Sequence, residues 1–158
     1  MDLTHILNWR RLTPRLTTSG QPSETELAEL KDMGVTRIVN LGPHDNKGAL
    51  VDEPGKVTGL GMVYDYIPVD FEHPTDADFE RFRGVLDRHP DEKIHVHCIY
   101  NARVSAFFYR LAKEAGALSE AEAKANMESI WRPGDDWAAF VGIDDAKGRP
   151  NRYKGEDY

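Results

Sequence analysis

The sequence predicts an α/β fold, a three-layer sandwich in which a central, mostly parallel sheet of about four to five strands is flanked by helices. β-Favouring runs alternate with stretches of helical periodicity, and they lie at 16–18, 35–41, 62–67 and 93–97. A helix between consecutive strands returns the chain for parallel pairing and covers a face of the sheet. Because parallel strands end at one edge, we expect the loops after the last three runs to converge there.

The predicted helices follow from apolar spacing and from capping residues. Ser23 with Glu26, and Ser119 with Glu122, have the spacing of a capping box, and Thr75 is expected as a further N-cap. After the last strand, apolar residues at i, i+3, i+4, i+7 and i+8 predict a helix that buries one face: Val104, Phe107, Phe108, Leu111 and Ala112.

A chain of 158 residues is expected to form one domain, over 1–145, followed by a loosely held polar tail over 146–158. Within the domain, 49–60 predicts only a poor helix because Pro54 and Gly55 interrupt it, and 135–141 predicts a last short helix.

Composition excludes several classes of partner. The net charge of −7 and the isoelectric point near 5.3 argue against nucleic acid and anionic membranes, which bind basic patches. We expect neither a membrane span nor a signal peptide, because no long apolar run and no basic-then-apolar leader is present near Met1. The single cysteine rules out an intrachain disulfide and favours a reducing, cytoplasmic location. The oligomeric state stays open.

That cysteine, Cys98, lies at the predicted turn between the last strand and its helix, five positions before Arg103. Backbone N–H groups at a helix N-terminus point at a bound anion, and the helix dipole favours negative charge there. The same field favours thiolate over thiol, so Cys98 is expected to act as a nucleophile. The guanidinium of Arg103 offers a planar fork for two oxygens of a phosphate or similar oxyanion. The motif therefore predicts a thiolate beside an anion pocket.

At these residues the chain resembles the cysteine-dependent protein tyrosine and dual-specificity phosphatases, whose signature is His-Cys, five residues, Arg, then Ser or Thr. Here only four residues separate Cys98 from Arg103. Asn101 stands where glycine is usual in that family and is among the few other residues that tolerate a positive φ. Upstream, an arginine-rich start, Ser-Gly-Gln-Pro, a helix and then Ile-Val-Asn-Leu resemble the small bacterial phosphatase-like domain named for its fusion to β-lactamase-like hydrolases. That group shares the four-residue spacing.

The resemblance implies a phosphomonoesterase without a cofactor, acting on a phosphorylated protein or small molecule, with phosphotyrosine as one candidate. It places the phosphate against the loop formed by Ile99, Tyr100, Asn101, Ala102, Arg103, Val104 and Ser105. His97 would support that loop from the strand, and the hydroxyl of Ser105 would help the thiolate leave. The general acid would be an aspartate on the loop before the signature, where Asp70 is favoured and Glu72 and Asp76 are reserves.

The short spacing predicts a slow enzyme. Moving the arginine one residue closer to the cysteine turns the direction in which its side chain leaves the helix by about 100° around the helix axis. A tightened loop would remove one N–H donor from the phosphate cradle. A single well-placed donor is worth on the order of 3 kcal/mol in the transition state, or about a hundredfold in rate.

Two alternatives from other classes stay open. A four-residue loop is also that of rhodanese-like sulfurtransferases, in which Cys98 would carry a persulfide. The second alternative is a non-catalytic module that only binds phosphate.

Two further features are expected to be structural. His95 and His97 alternate along one strand and could meet His44 or His73 at a metal, but no spacing is diagnostic, and we expect no metal site. The segment 131–135 superficially resembles the Trp-Pro-Asp acid loop of tyrosine phosphatases. Because it follows the signature, we expect a helix connection whose tryptophans pack in the core.

Overall fold

The computed structural model describes residues 1–116, 118–144 and 150–153. Within these ranges the chain forms a five-stranded sheet, a two-stranded sheet and six helices. In chain order the elements are β1 (Arg10–Arg11), β2 (Leu16–Ser19), α1 (Glu24–Asp32), β3 (Arg37–Asn40), α2 (Glu53–Gly59), β4 (Val63–Tyr66), α3 (Asp76–Arg88), β5 (Ile94–His97), α4 (Ala102–Ala115), α5 (Glu120–Glu128), β6 (Trp131–Arg132), α6 (Asp135–Val141) and β7 (Arg152–Tyr153).

The central sheet confirms the predicted α/β class. Its strand order is β1-β2-β5-β3-β4, in which β2, β5, β3 and β4 run parallel and only the short edge strand β1 is antiparallel. The sequence did not indicate β1, because a two-residue strand carries no alternation of its own. The four parallel strands end at one edge, so the loops after β2, β3, β4 and β5 lie side by side, with the β5 loop in the centre.

Helix capping follows the sequence. The hydroxyl of Ser23 accepts from the backbone N–H of Glu26, and the Glu26 carboxylate accepts from the N–H of Ser23, which completes the predicted capping box. Thr75 and Ser119 cap α3 and α5 through their hydroxyls, which accept from the backbone N–H groups of Asp78 and Glu122. At α5 this hydroxyl bond is the half of the predicted capping box that the structure shows. The expected poor helix at 49–60 is instead a regular helix from Glu53. Pro54 lies in its first turn, where a missing N–H removes no helical hydrogen bond.

Two apolar clusters cover the two faces of the sheet. One lies under α3, α4 and α6 and contains Phe79, Phe107 and Trp137. The other lies under α1 and α2 and contains Leu27, Leu30 and Val57. Neighbouring strand residues alternate between them, since Ile38 packs in the second cluster and Val39 in the first. No helix of the described ranges is long and apolar enough to cross a membrane.

The end of the chain differs from the expected loose tail where it is described. β7 pairs antiparallel with β6, and the backbone N–H of Gly134 donates to the side chain of Asn151 over 2.7 Å. Backbone groups left unpaired on β6 make this docking favourable. Residues 146–149 and 154–158, which make up the rest of the predicted tail, lie outside the described residues.

Candidate active site

Cys98 lies immediately after β5 and has no solvent-exposed surface. Three residues later, Asn101 adopts the left-handed conformation with φ of 74° and leads directly into α4. Its amide makes no capping bond to the helix. The N-terminus of a fourteen-residue helix therefore faces the Cys98 loop with its first backbone N–H groups uncapped by that side chain, as anion binding requires.

The carbonyl oxygens of the loop all accept hydrogen bonds from within the protein. All four carbonyls, from residue 98 to residue 101, accept a hydrogen bond within 3.0 Å. The Cys98 carbonyl accepts from Nδ1 of His97, and the Ile99 carbonyl accepts from the backbone N–H of Gln21. The Tyr100 carbonyl accepts from Nδ2 of Asn8, and the Asn101 carbonyl accepts from the backbone N–H of Ser105. A peptide unit whose carbonyl oxygen is fixed by a hydrogen bond presents its N–H on the opposite side of the peptide plane. This pattern orients the loop to cradle an anion.

Asn8 joins the N-terminal segment to the loop and was missed by the sequence analysis. It donates from its side chain to Tyr100 over 2.8 Å, and its own carbonyl accepts from the side chain of Asn101, also over 2.8 Å. Asn101 makes a second bond to the hydroxyl of Thr18 on β2. No local pattern could reveal these contacts, which span more than 80 residues.

Two glycines allow the neighbouring loops to approach the Cys98 loop. A Cβ atom on Gly20, after β2, would lie 2.6 Å from the carbonyl oxygen of Ile99. A Cβ on Gly42, after β3, would lie 3.3 Å from the backbone of Cys98. The cysteine loop is thus enclosed by backbone from both sides, which fixes its position.

Arg103 lies in the first turn of α4 with 1% of its surface exposed. Its Nε donates to the Val69 carbonyl over 2.8 Å, and its guanidinium lies 5.2 Å from the ring centre of Phe71. Burial lowers the pKa of Arg103, while a hydrogen bond and charge attraction to Cys98, together with the carboxylate of Asp70, oppose the fall. The short spacing therefore still brings the guanidinium to the sulfur, held from behind by the β4–α3 connection.

The three acid candidates, Asp70, Glu72 and Asp76, are all exposed and lie between the end of β4 and the start of α3. Asp70 is exposed, follows the Val69 carbonyl that Arg103 binds, and lies close enough to act on the charge of that arginine. Its Oδ1 accepts from the backbone N–H of Glu72 over 2.9 Å, which orients the carboxylate within the loop. Asp76 instead begins α3 and pairs with Arg110 over 2.8 Å.

The loop carrying Asp70 is anchored by the tryptophans of the 131–137 segment. The ring of Phe71 packs between Trp131 and Trp137, with ring centres 5.5 and 5.3 Å away, and the indole N–H of Trp137 donates to the Phe71 carbonyl over 2.7 Å. Both tryptophans are at most 2% exposed, which confirms that they pack in the core. The 131–137 segment, which follows Cys98 in the chain, thus supports the loop of Asp70, which precedes Cys98.

Ser105 lies in the first turn of α4, and its hydroxyl is engaged. The hydroxyl donates to the Ala102 carbonyl over 3.0 Å and accepts from the indole N–H of Trp131 over 3.1 Å.

Below the loop, His97 contacts a carboxylate that the sequence analysis did not identify. Its Nε2 lies 2.7 Å from Oε2 of Glu53, the first residue of α2, and both side chains are at most 1% exposed. Burial raises the pKa of Glu53, but the charge of His97 and hydrogen bonds from His97, Gln21 and Tyr64 outweigh it, so the net shift is downward. In the sequence Glu53 is only a carboxylate near the start of a helix, a feature that is too common to be diagnostic.

The second histidine of β5, His95, is on the same face, as its alternation with His97 predicted. Its ring nitrogens bond the hydroxyls of Thr17 and Ser19 at 2.8 and 2.7 Å, and Trp9 stacks on it. Burial, followed by the charge of His97, lowers its pKa well below the usual value, so the ring is neutral. Over the described ranges, no three His, Cys, Asp or Glu side chains are grouped as a metal would need.

This geometry matches solved structures. A "putative phosphatase (DUF442)" from Shewanella putrefaciens CN-32 is 34% identical, with 89% of this chain and 92% of that chain aligned at a TM-score of 0.80. The chain belongs to this family. Neither protein-family models nor curated proteins give a match to the sequence.

More distant structures share the fold of this DUF442 protein. Tk-PTP in its active form is 20% identical, covering 87% of this chain and 97% of its own, at a TM-score of 0.64. TpbA of P. aeruginosa, solved as a cysteine-to-serine variant with phosphotyrosine, is 17% identical over 77% of this chain and 72% of its own, at a TM-score of 0.62. These two structures show that the fold is shared.

Proposed function

We propose that the protein is a cysteine-dependent phosphatase that hydrolyses phosphomonoesters through a phosphocysteine intermediate. The observation that carries the proposal is the buried guanidinium of Arg103 bonded to Cys98 at the uncapped N-terminus of α4. A cation, a helix terminus and a sulfur nucleophile meet at one point, which suits a bound phosphate dianion.

In the first step the Cys98 thiolate attacks phosphorus, and the bond from phosphorus to the leaving oxygen breaks. Arg103 and the loop N–H groups hold the equatorial oxygens as charge spreads over them. Asp70 donates its proton to the leaving oxygen, which departs as an alcohol or phenol.

In the second step the Asp70 carboxylate takes a proton from water, whose oxygen attacks phosphorus and releases Cys98 as thiolate. Ser105 assists that release only if its hydroxyl exchanges the Ala102 carbonyl for the sulfur. The phosphate product leaves with Asp70 protonated again, so the protons balance over the cycle.

A phosphorylated protein or small molecule is the proposed substrate class, with phosphotyrosine as the first candidate. The support for phosphotyrosine is that a structural neighbour, TpbA, was solved with it. The proposal also includes dual specificity of the enzyme and a bacterial origin of the protein.

The sulfurtransferase alternative is favoured by the four-residue spacing. Against it, such transfer needs no general acid, whereas here a carboxylate acts on the charge of the arginine at the nucleophile. The protein is expected to release phosphate from para-nitrophenyl phosphate and to form no thiocyanate from thiosulfate and cyanide. The reverse result would establish the sulfurtransferase, and no turnover in both assays with retained phosphate binding would establish a non-catalytic module.

Asp70→Asn tests the general acid. We expect a loss of about 10²-fold to 10³-fold in kcat/KM with phenyl phosphate. This ratio covers the steps up to release of the phenol and leaves out the second step, in which Asp70 acts as the base. The loss should be much smaller with para-nitrophenyl phosphate, whose phenolate leaves without protonation. Glu72→Gln and Asp76→Asn are matched controls that should retain kcat on both substrates. If the loss in kcat/KM with Asp70→Asn were equal on both substrates, or appeared in a control instead, Asp70 would not be the acid.

A further inference from the structure

The N-terminal segment and the cysteine loop are joined by two asparagine side chains that have no part in the steps above. The side-chain amide of Asn8 donates to the Tyr100 carbonyl, and that of Asn101 donates back to the Asn8 carbonyl, each over 2.8 Å. We call this reciprocal pair, Asn8 and Asn101, the amide clasp. Beside it, the Leu7 carbonyl accepts from the backbone N–H of Gly20 over 2.7 Å. Residues 7 and 8 thus contact both the loop after β2 and the loop after β5.

The clasp forms at a local cost in stability. Both asparagines adopt the left-handed conformation, with φ of 51° at Asn8 and 74° at Asn101, a region in which every residue except glycine is strained. Asn101 is fully buried, and its Oδ1 has no hydrogen-bond partner among the residues that the structure describes. The Asn101 amide cannot be turned round to pair that oxygen, because the Asn8 carbonyl only accepts and needs the Nδ2 donor. Backbone strain and an unpaired buried acceptor both lower stability, and such features concentrate where function requires the geometry.

The clasp fixes the two peptide units that lead into α4. Because the Tyr100 carbonyl is held, the N–H of Asn101, which belongs to the same peptide plane, points to the opposite side of that plane. Because the Asn101 side chain is held, that residue stays left-handed, and α4 begins at the next residue, Ala102. The direction in which the N-terminus of α4 presents its N–H groups to an anion therefore depends on Asn8.

We propose that Asn8 is a positioning residue that sets the anion affinity of the Cys98 loop, so that docking of the N-terminal segment and binding of phosphate strengthen each other. The inference rests on the placement of phosphate at this loop in the proposed function. A clasp that is closed before phosphate arrives removes the cost of ordering the loop during binding. By linkage, bound phosphate in turn stabilises the docked N-terminal segment by the same factor.

Asn8→Gly removes the side-chain amide and adopts the φ of 51° without strain, so it isolates the effect of the amide. The Kd of inorganic phosphate, measured through its protection of Cys98 from iodoacetamide, is expected to rise by about threefold to tenfold, as for the loss of one hydrogen bond. Asn8→Asp places an acceptor against the Tyr100 carbonyl and should raise the Kd by about tenfold or more. An unchanged Kd in both folded variants would overturn the proposal, because a merely structural clasp would affect only the melting temperature.

Asn151→Gly is the matched control. The side chain of Asn151 also makes a short bond to the backbone, accepting from the Gly134 N–H over 2.7 Å, but it lies beside β7 and not at the cysteine loop. The same substitution there should lower the melting temperature and leave the Kd of phosphate unaltered. A rise of similar size in Asn151→Gly would overturn the proposal, because phosphate affinity would then follow overall stability and not the clasp.

Amide hydrogen exchange on the unmodified protein covers the case in which the Asn8 variants do not fold. Saturating phosphate should slow exchange at the backbone N–H groups of Ile6, Trp9 and Gly20, which hydrogen-bond within the N-terminal segment or to it. Unchanged exchange at all three, with phosphate still protecting Cys98, would overturn the coupling and leave the proposed phosphatase standing. If phosphate failed to protect Cys98 even in the parent, the anion site of the proposed function would fall, and this inference with it.

Discussion

Cys98→Ser is expected to abolish phosphate release, with a fall in kcat of at least about 10⁴-fold, while the fold and phosphate binding are retained. The hydroxyl of serine is a far weaker nucleophile than a thiolate and cannot form the phosphocysteine. The fully buried sulfur is replaced by an atom of similar size, so only a small loss of stability is expected. Phosphate affinity by titration calorimetry and kcat on para-nitrophenyl phosphate measure the two effects separately.

Rapid acid quenching followed by mass spectrometry provides the control. The parent protein should show the added mass of one phosphoryl group on the peptide containing Cys98, and the serine variant should not. Activity of Cys98→Ser within a few-fold of the parent would remove the cysteine from the mechanism. Loss of phosphate binding in a folded variant would mean that the sulfur, and not the loop, holds the anion.

Much of the fold was predictable because its signals are local. The β-favouring runs of β3 and β4, the apolar face of α4 and the Ser23 capping box each depend on residues a few positions apart. β1 and the pair β6–β7 were not predictable, since a two-residue strand exists only through its partner. The start of α2 was misjudged because Pro54 breaks a helix in its interior and favours one in its first turn.

The residues of the site also fall into those with a local signal in the sequence and those without one. Cys98 and Arg103 were identified because a strand, a turn and a helix lie next to each other in the sequence. Asn8, Gln21 and Glu53 hold that loop from 44 to 92 positions away and carry no pattern of their own. A polar residue distant in sequence is selected by the backbone group that it meets in three dimensions, and that group is known only once the chain has folded.

The short spacing between nucleophile and arginine changes what the support of the loop must achieve. With one peptide fewer than in the five-residue signature, each remaining N–H contributes a larger share of transition-state stabilisation. The hydrogen bonds to the four loop carbonyls and the close approach of Gly20 and Gly42 fix those groups before substrate arrives. Preorganisation of this kind limits the loss of rate but does not restore the missing donor, which is why we expect turnover below that of efficient tyrosine phosphatases.

Arg103→Ala is expected to lower kcat on para-nitrophenyl phosphate by about 10³-fold or more, because the arginine is the cation bonded to the cysteine in this site. Phosphate should also cease to protect Cys98 from iodoacetamide. The variant leaves the Val69 carbonyl without the 2.8 Å bond from Nε, at a cost of about 1–3 kcal/mol in the free energy of unfolding. Circular dichroism and thermal melts are therefore needed beside the kinetics.

Arg103→Lys separates charge from geometry. The lysine keeps the positive charge but cannot bind Val69 and two phosphate oxygens at once, since it lacks the planar fork. We expect part of the phosphate protection to return while kcat stays at least tenfold below the parent. Full activity in Arg103→Lys would show that charge alone suffices. Robust activity in Arg103→Ala would show that the loop N–H groups and the terminus of α4 stabilise the transition state without the guanidinium.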